Sequence, residues 1–214
     1  SAGFQATIYA CRDLAGTAQF MDDAEYNALY GAGWDISNHT TNHLAYGTPG
    51  PDLPVATTDL EVLYPIYLEN QSWILNNFGP RGAFHVAYPS GGYSDELINE
   101  VIRKIGAVTG RLAEQEGSVS TPLTDPDQYY EIPVWPLESI NDEITTDPVG
   151  LAADKIADAI PQGDTVVFML HRVLPVVNTP DPYPYLTDVD FQAIVDLVET
   201  RVLAGDVEVM TMSD

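Results

Sequence analysis

Two histidines four residues apart follow a short strand-like run early in the chain. His39 and His43 come after residues 33–37, which read as a strand. If the chain makes one helical turn between them, both imidazole rings lie on the same side. Histidine is a common zinc ligand, and a metal-bound ring needs an acceptor for its second N–H, which Thr, Asn or a backbone carbonyl can supply. The spacing predicts that His39 and His43 bind one divalent metal ion, Zn2+ or another. The alternative is two unrelated surface histidines.

The same pair carries a resemblance to a known family. Residues 39–43 (HTTNH) are similar to the H-[ST]-x-x-H metal motif of the polysaccharide deacetylases, carbohydrate esterases with a NodB-homology domain. Two further segments follow in the family's order. Residues 87–93 are similar to its Pro-Gly loop after a middle strand, and residues 168–171 resemble the late strand that ends in a catalytic histidine. The resemblance spans nearly the whole chain.

The resemblance implies a role for each matched residue. His39 and His43 would hold the metal, and His171 would be the catalytic acid that protonates the leaving amine. Backbone N–H groups of the Pro-Gly loop would face the developing oxyanion, and an aromatic residue would line the acetyl pocket. The residues that would contact substrate are Tyr88, Pro89, Ser90, Gly91 and Trp135. Without the resemblance, the loop is an ordinary glycine turn, and Trp135 and His171 are as readily structural residues.

Two features of the family's pattern are missing from this sequence. The family's early Asp-Asp pair supplies the third metal ligand and the general base. The only Asp-Asp pair here, Asp22-Asp23, opens a predicted helix in the manner of capping residues. Ala87 stands where the family has arginine. We expect the first strand and its Asp pair to lie upstream of Ser1, or to come from another chain. Asp35, on the same strand face as the first histidine, is a fallback ligand.

Predicted strands and helices alternate along the chain. The predicted strands cover residues 4–10, 35–37, 82–88, 106–112, 129–135, 164–170 and 207–212. The predicted helices cover residues 21–30, 58–77, 94–105, 149–160 and 188–203. This alternation predicts parallel βαβ units in one α/β domain spanning residues 1–214. Polar and histidine residues that follow strands favour a barrel over an open sheet, because a barrel gathers its site at strand ends. The family's distorted (β/α) barrel agrees.

The charge balance is strongly acidic. The chain has 214 residues, of which 45% are hydrophobic, as expected of one globular domain. Thirty-two Asp and Glu oppose eight Lys and Arg, a formal charge of −24. Such self-repulsion is associated with halophilic proteins, and the alternative is an ordinary acidic extracellular enzyme. No basic stripe is present to bind nucleic acid, and no apolar run is long enough to span a membrane. Cys11 is the only cysteine, so no intramolecular disulfide can form.

Together these features favour a metal-dependent hydrolase that removes acetyl groups, most readily N-acetyl groups, from a surface or extracellular polysaccharide. A rival hypothesis is a deacetylase-like domain without catalysis that serves as a carbohydrate-binding or structural module. The missing Asp pair and Ala87 favour that rival. A third hypothesis, an unrelated α/β domain with surface histidines, would make the order of three motifs a coincidence. The expected location is extracellular or at the surface of a cell or particle.

Overall fold

The protein is described by a computed structural model that covers residues 2–49, 55–113, 126–138, 147–175 and 185–214. Its strands are β1 (Thr7–Ala10), β2 (Asp35–Asn38), β3 (Ala45–Tyr46), β4 (Ala56–Thr57), β5 (His85–Ala87), β6 (Thr109–Arg111), β7 (Trp135–Pro136), β8 (Phe168–Met169), β9 (Val173–Leu174) and β10 (Leu186–Thr187). Its α-helices are α1 (Asp23–Gly31), α2 (Leu60–Asn77), α3 (Asp95–Leu97), α4 (Pro148–Ala159) and α5 (Asp188–Ala204).

The described residues group into two compact units. The larger unit holds residues 4–113, 126–132 and 210–214 where they are described, and the smaller unit holds residues 133–138, 147–175 and 185–209 with the first residues of the chain. This division does not test whether the two units fold together. The expectation of a single domain over residues 1–214 therefore stays a prediction.

A parallel sheet forms the centre of the larger unit. Its strand order is β1-β2-β5-β6, and every neighbouring pair runs parallel. In the smaller unit β7 pairs with β8 and β9 with β10, again in parallel. Parallel strands connected through helices confirm the predicted α/β class. Closure of the strands into a barrel stays a prediction.

The two faces of the central sheet differ in character. Side chains of Ile36 and Val86 lie on one face and join apolar clusters that include Leu63, Tyr67 and Ile74 of α2. Alternate residues of the same strands lie on the opposite face, since side chains alternate along a strand. That second face is polar yet buried, with Asp35, Ser37, His85 and Thr109 among its residues. The sheet is therefore an apolar support on one side and a polar surface on the other.

Local signals explain where the helices begin. Asp22 accepts a hydrogen bond from Glu25 N, and the Glu25 carboxylate accepts one from Asp22 N, which is a complete capping box. This confirms the capping role predicted for Asp22. Helix α2 begins after Asp59, whose carboxylate accepts from Glu61 N at 2.9 Å.

Helix α3 continues directly into a π-helical segment, Ile98–Ile102, so the two together form the helix predicted over residues 94–105. Its N-cap is Ser94, as predicted, whose hydroxyl accepts from Leu97 N at 3.1 Å. Leu97, Ile98 and Val101 are buried against the central sheet's apolar face. None of the described helices combines the length and apolar character that crossing a membrane requires.

Three predicted strands differ most from the structure. Residues 129–135 begin instead as a 3-10 helix, Pro126–Tyr130, and make one bridge at Ile132 before β7 starts. Within the strand predicted over residues 164–170 only β8 is a strand, although Thr165 forms a bridge and Val167 O accepts from Trp135 N at 2.8 Å. Residues 207–212 form no strand. The chain there ends in side-chain contacts, with Met212 N donating to Thr7 Oγ1 at 2.9 Å.

Candidate functional site

His39 and His43 lie on a tight turn that follows β2. The turn is not the helical one that the spacing predicted, because Thr40 and His43 both have φ of 63°, in the left-handed region. The two imidazole rings still meet, with centroids 4.8 Å apart and planes at 79°. Two imidazoles bound to one tetrahedral zinc ion at about 2.0–2.1 Å have centroids roughly 5 Å apart. The ring separation therefore fits two ligands of a single cation.

The ring of His39 is oriented by the backbone of the neighbouring strand. Its Nδ1 lies 2.8 Å from the carbonyl oxygen of Ala87, at the end of β5. A carbonyl only accepts hydrogen bonds, so Nδ1 carries the proton and Nε2 keeps its lone pair for a metal. A hydrogen bond of this kind normally orients a metal-binding histidine. The acceptor expected from the sequence is thus present, and it is a backbone carbonyl.

A buried amide pair holds the turn in place. Asn38, the residue before His39, donates from Nδ2 to Tyr67 O at 2.8 Å, and its Oδ1 accepts from Thr40 N at 3.0 Å. Asn70 of α2 donates from Nδ2 to the same Oδ1 at 3.0 Å. Sequence reasoning missed this pair. The available signal was that Asn70 lies three residues after Tyr67, on the apolar stripe of its helix, where an asparagine needs buried partners.

The third metal ligand is not among the described residues. Within those residues no group of three His, Cys, Asp or Glu side chains is arranged to hold a metal ion. The carboxylate of Asp35 is buried and has other partners. It accepts hydrogen bonds from Ser213 N at 2.9 Å and from Ser213 Oγ at 2.8 Å, and it lies 3.6 Å from Arg81 Nε. These contacts suit a structural role for Asp35, and its use as a fallback ligand stays a prediction. Binding of a metal ion by His39 and His43 therefore stays a prediction.

The Pro-Gly loop is a 3-10 turn, Pro89–Gly91, directly after β5. Gly91 N donates to Tyr88 O at 3.0 Å and Gly92 N donates to Pro89 O at 3.1 Å, so both amides are used within the turn. Proline has no N–H. The amide of Ser90 has no acceptor among the described residues, and Ser90 is exposed with φ of 52°. Ser90 N–H is thus the one amide of this turn that is left to bind an oxyanion.

The predicted substrate contact of Tyr88 needs correction. Its side chain is wholly buried among the apolar residues of the larger unit, where its ring stacks on Tyr93 with centroids 5.7 Å apart. Its hydroxyl donates to Tyr130 O at 2.9 Å. Tyr88 is therefore a core residue, because an aromatic side chain alternating with Ala87 falls on the apolar face of the sheet. Substrate contacts of Pro89, Ser90 and Gly91 stay predictions.

In the smaller unit, His171 lies opposite a buried carboxylate that sequence reasoning missed. His171 follows β8, with its side chain 52% exposed and its Nδ1 3.3 Å from Glu138 Oε1. The backbone N–H of His171 donates to the same oxygen. The Glu138 carboxylate therefore orients the imidazole and leaves Nε2 on the exposed side. Nothing local in the sequence marks Glu138; the register of β7 with β8, continued past Pro136 and Met169, places it opposite His171.

Trp135, the residue predicted to line an acetyl pocket, lies on β7 and is half-buried. The Nζ of Lys155, from α4, lies 3.9 Å from its ring centroid, a cation–π contact. Its indole N–H is buried and has no partner among the described residues. The predicted pocket role of Trp135 stays a prediction. His85 is buried on β5 with Nδ1 2.8 Å from Thr109 Oγ1.

Several solved structures show limited likeness to this chain. A deacetylase from Streptococcus pyogenes in complex with acetate is 18% identical over 60% of this chain and 51% of its own, with a TM-score of 0.47. A polysaccharide deacetylase from Bacillus cereus is 19% identical over 60% of this chain and 36% of its own, also at 0.47. This chain thus spans about half and about a third of their lengths.

A family 4 acetyl xylan esterase from Clostridium thermocellum, in complex with a cobalt ion, is 14% identical over 100% of this chain and 86% of its own, at a TM-score of 0.39. Likenesses at this level carry no argument about function. No curated protein matches the sequence.

The family of this chain follows from a match of its sequence to a model of a protein family. The model described as polysaccharide deacetylase matches residues 1–109, half of the chain. The matched stretch includes β1, β2, the turn with His39 and His43, and the turn Pro89–Gly91. It ends before Glu138 and His171, so residues 133–209 of the smaller unit lie outside the match. The chain belongs to the polysaccharide deacetylase family.

Proposed function

We propose that this chain is the metal-dependent deacetylase domain of a protein that acts on an acetylated polysaccharide. The groups that it removes are acetyl groups, most readily N-acetyl groups. Membership of the family supports deacetylation as the reaction, and an enzyme that catalyses this reaction is a hydrolase. The observation that carries the metal dependence is the pair of imidazole rings 4.8 Å apart, with His39 Nδ1 fixed on Ala87 O. A polymeric substrate of this kind also supports action outside the cell or at a cell or particle surface.

The metal would be held by His39 and His43 with a third ligand from outside the described residues. Imidazole suits zinc and several other divalent ions. Such an ion would supply activation of a water molecule and polarisation of the acetyl carbonyl. We propose zinc. The general base would likewise come from outside the described residues.

The protein's own groups would serve the acetyl group and the leaving amine. Ser90 N–H is free of acceptors among the described residues and would donate to the carbonyl oxygen as negative charge develops there. His171 would donate a proton from Nε2 to the leaving amine. Glu138, at Nδ1, would hold the imidazole in the tautomer that this transfer needs and stabilise its protonated form before transfer.

The test is acetate release from N-acetylglucosamine oligomers with and without zinc. The 214-residue chain should be close to background, because its described residues contain no three-ligand group. The longer natural chain should release acetate only with zinc, and His39→Ala should abolish the release. Zinc-dependent release by the 214 residues alone would show that the third ligand and the base are already in this chain.

The second candidate is a domain of the same family that has lost catalysis and serves as a carbohydrate-binding or structural module. The incomplete ligand set among the described residues and Ala87 in place of the family's arginine favour it. This second candidate would replace the enzyme if the longer natural chain binds zinc and acetylated oligomers yet releases no acetate. Absence of both zinc binding and oligomer binding would remove both candidates.

A further inference from the structure

A groove of about 680 Å³ lies in the larger unit between α2 and the helix that begins as α3, and we call it the α2–α3 groove. The residues that line it are Leu60, Glu61, Tyr64, Glu96, Glu100 and Lys104. Pockets that bind small molecules have volumes of about 300–1,000 Å³, so this groove is large enough for a ligand. None of its residues belongs to the histidine turn or to the turn Pro89–Gly91, so the proposed function leaves it unused.

Both helices begin beside the Pro-Gly turn. Helix α3 begins after Ser94, four residues past Ser90 of that turn. Helix α2 begins shortly after β4, which pairs with β3. The backbone of Tyr46 in β3 lies so close to Gly92 that a Cβ on Gly92 would collide with Tyr46 O. The first turns of α2 and α3 therefore lie next to the place where the acetyl group would bind.

The two walls of the groove differ in character. Leu60 and Tyr64 lie one helical turn apart on α2, half-buried against the apolar cluster of the larger unit. On the other wall Glu96, Glu100 and Lys104 follow one another at steps of four residues, and all three are exposed. The groove therefore combines an apolar wall that includes an aromatic ring with a wall of charged side chains.

Two carboxylates of the groove have no cation as partner among the described residues. Lys104 Nζ forms an ion pair with Glu100 Oε2, so these two charges offset each other at the end away from α3's first residue. Glu61 and Glu96 lie in the first turns of their helices and form no ion pair with a described residue. A helix N-terminus favours each acid singly, but two acids that line one groove repel each other. A bound cation would relieve this repulsion.

A deacetylated amino sugar has the chemistry that fits these walls. Hydrolysis of an N-acetyl group by water releases acetate and leaves an amine, which takes up a proton in weakly acidic solution. Glu61 and Glu96 can accept hydrogen bonds from such an ammonium group, and charge strengthens these bonds. The ring of Tyr64 offers apolar surface with a polar tip, as a sugar ring requires. A partly deacetylated polysaccharide carries such amines on the same polymer as its remaining acetyl groups.

We propose that the α2–α3 groove binds a deacetylated, cationic stretch of the polysaccharide while an acetylated unit of the same polymer lies at the Pro-Gly turn. The identity of this ligand rests on the proposed function, whereas the charge and shape of the groove do not. The enzyme should therefore prefer a partly deacetylated polymer to a fully acetylated one. A second copy of this chain is a poor occupant, because its formal charge is −24.

Binding of ready-made oligomers tests the proposal. Glucosamine tetramer and N-acetylglucosamine tetramer are titrated separately into the metal-free chain at pH 6 and low salt, with binding followed by calorimetry and the fold by circular dichroism. The glucosamine tetramer should bind about tenfold more tightly or better. The double variant Glu61→Gln with Glu96→Gln should weaken its binding by about three- to tenfold, since exposed ion pairs contribute modestly. The control, Glu199→Gln with Glu208→Gln, removes the same charge from exposed positions that do not line the groove.

A variant at the other end of the groove should act in the opposite direction. Lys104→Gln frees the carboxylate of Glu100, so the glucosamine tetramer should bind about two- to threefold more tightly. A damaged fold would not produce such a gain. Arg201→Gln is the control, because it removes the same charge from an exposed ion pair with Asp206 and should leave the affinity unchanged. Tyr64→Leu keeps the apolar packing but removes the ring, and should weaken binding about threefold.

Four outcomes overturn the proposal: no binding of the glucosamine tetramer, equal affinity for both tetramers, equal affinity in the unaltered and double-variant proteins, or oligolysine binding as tight and as dependent on the two glutamates. The last would make the groove a general surface for cations. Because the tetramers are supplied ready-made, none of these results needs catalysis. An active longer chain that shows any of them rejects only this proposal. Groove-dependent binding by a chain without activity rejects only the deacetylase.

Discussion

Asn38 and Asn70 share a hydrogen bond of 3.0 Å, from Nδ2 of Asn70 to Oδ1 of Asn38, and both side chains are wholly buried. Asn70 also donates to Ala10 O at 2.8 Å and accepts from Arg12 N at 2.9 Å. The pair thus joins the ends of β1 and β2 to α2 at the point where His39 begins. Because each of these buried polar atoms has partners, the turn is held before any metal binds.

Replacing Asn70 should loosen this junction. Asn70→Ala leaves Arg12 N without its acceptor and removes one of two donors from both Ala10 O and Asn38 Oδ1, so the free energy of unfolding should fall by about 1–3 kcal/mol. Zinc affinity should fall as well, because the histidine turn loses its anchor. Urea unfolding and zinc titration measure the two effects. The control is Asn77→Ala on the same helix, whose exposed side chain bonds only to Trp73 O and should change stability by less than about 0.5 kcal/mol. Equal stabilities of the two variants would contradict this account.

The buried carboxylate of Glu138 should matter for catalysis through His171. In an active longer chain, His171→Ala should lower kcat by about 10²–10⁴-fold, the usual contribution of a general acid. Glu138→Gln keeps the shape and the acceptor for the His171 N–H but removes the charge, so kcat should fall by less while KM stays unchanged. In the double variant the losses should not add, because both act on one proton transfer. Glu199→Gln, an exposed acid in the same unit, is the control. Additive losses would argue against a shared role.

Burial of His85 should make stability depend on pH. Burial lowers the pKa of His85 below its usual 6.5 in the folded protein, with Asp35 acting weakly in the opposite direction. The unfolded chain therefore binds a proton first as pH falls, and folding loses stability from about pH 6.5 down through the lowered folded-state pKa. Above pH 6.5 this contribution is complete. Urea unfolding between pH 7.5 and 5 should show a flatter profile for His85→Gln than for the unaltered protein. Parallel profiles would exclude His85 as a source of acid sensitivity.

Salt should stabilise the fold if the acidic composition is an adaptation to high salt. A formal charge of −24 repels itself in the compact state, and added salt screens charges beyond a Debye length of about 10 Å at 0.1 M. Thermal unfolding should therefore move to higher temperature as potassium chloride rises from low to multimolar concentration. Sucrose at matched osmolality is the control, because it stabilises by exclusion from the surface without screening. A midpoint that responds equally to both would contradict a specific effect of charge.

The features that the sequence predicted best are those that depend on residues close together in the chain. The capping box of Asp22 and Glu25 lies within four residues, and the helix that it starts was found with its boundaries almost unchanged. The histidine pair was found from its spacing, although the turn between the two is left-handed at Thr40 rather than helical. Such features agree with the structure because the interactions that form them involve neighbouring residues.

What the sequence did not reveal depends on contacts between distant segments. Asn38 and Asn70 are 32 residues apart, and Glu138 and His171 are 33 apart, so neither pair has a local pattern. The strand predicted over residues 207–212 is absent from the structure for a similar reason. The apolar run over residues 207–212 has strand character, but the segment ends against Thr7 and Asp35, whose side chains hold it without a ladder.

The measurement that bears most directly on the central claim is the zinc content of the purified chain after equilibration with a small excess of metal. The claim is that His39 and His43 bind one divalent ion together, with His39 presenting Nε2 because its Nδ1 donates to Ala87 O. We expect weak binding of about one zinc per chain, lost in His39→Ala and in His43→Ala but retained in His85→Gln, whose imidazole is bonded to Thr109. Equal zinc content in all four proteins would contradict the claim.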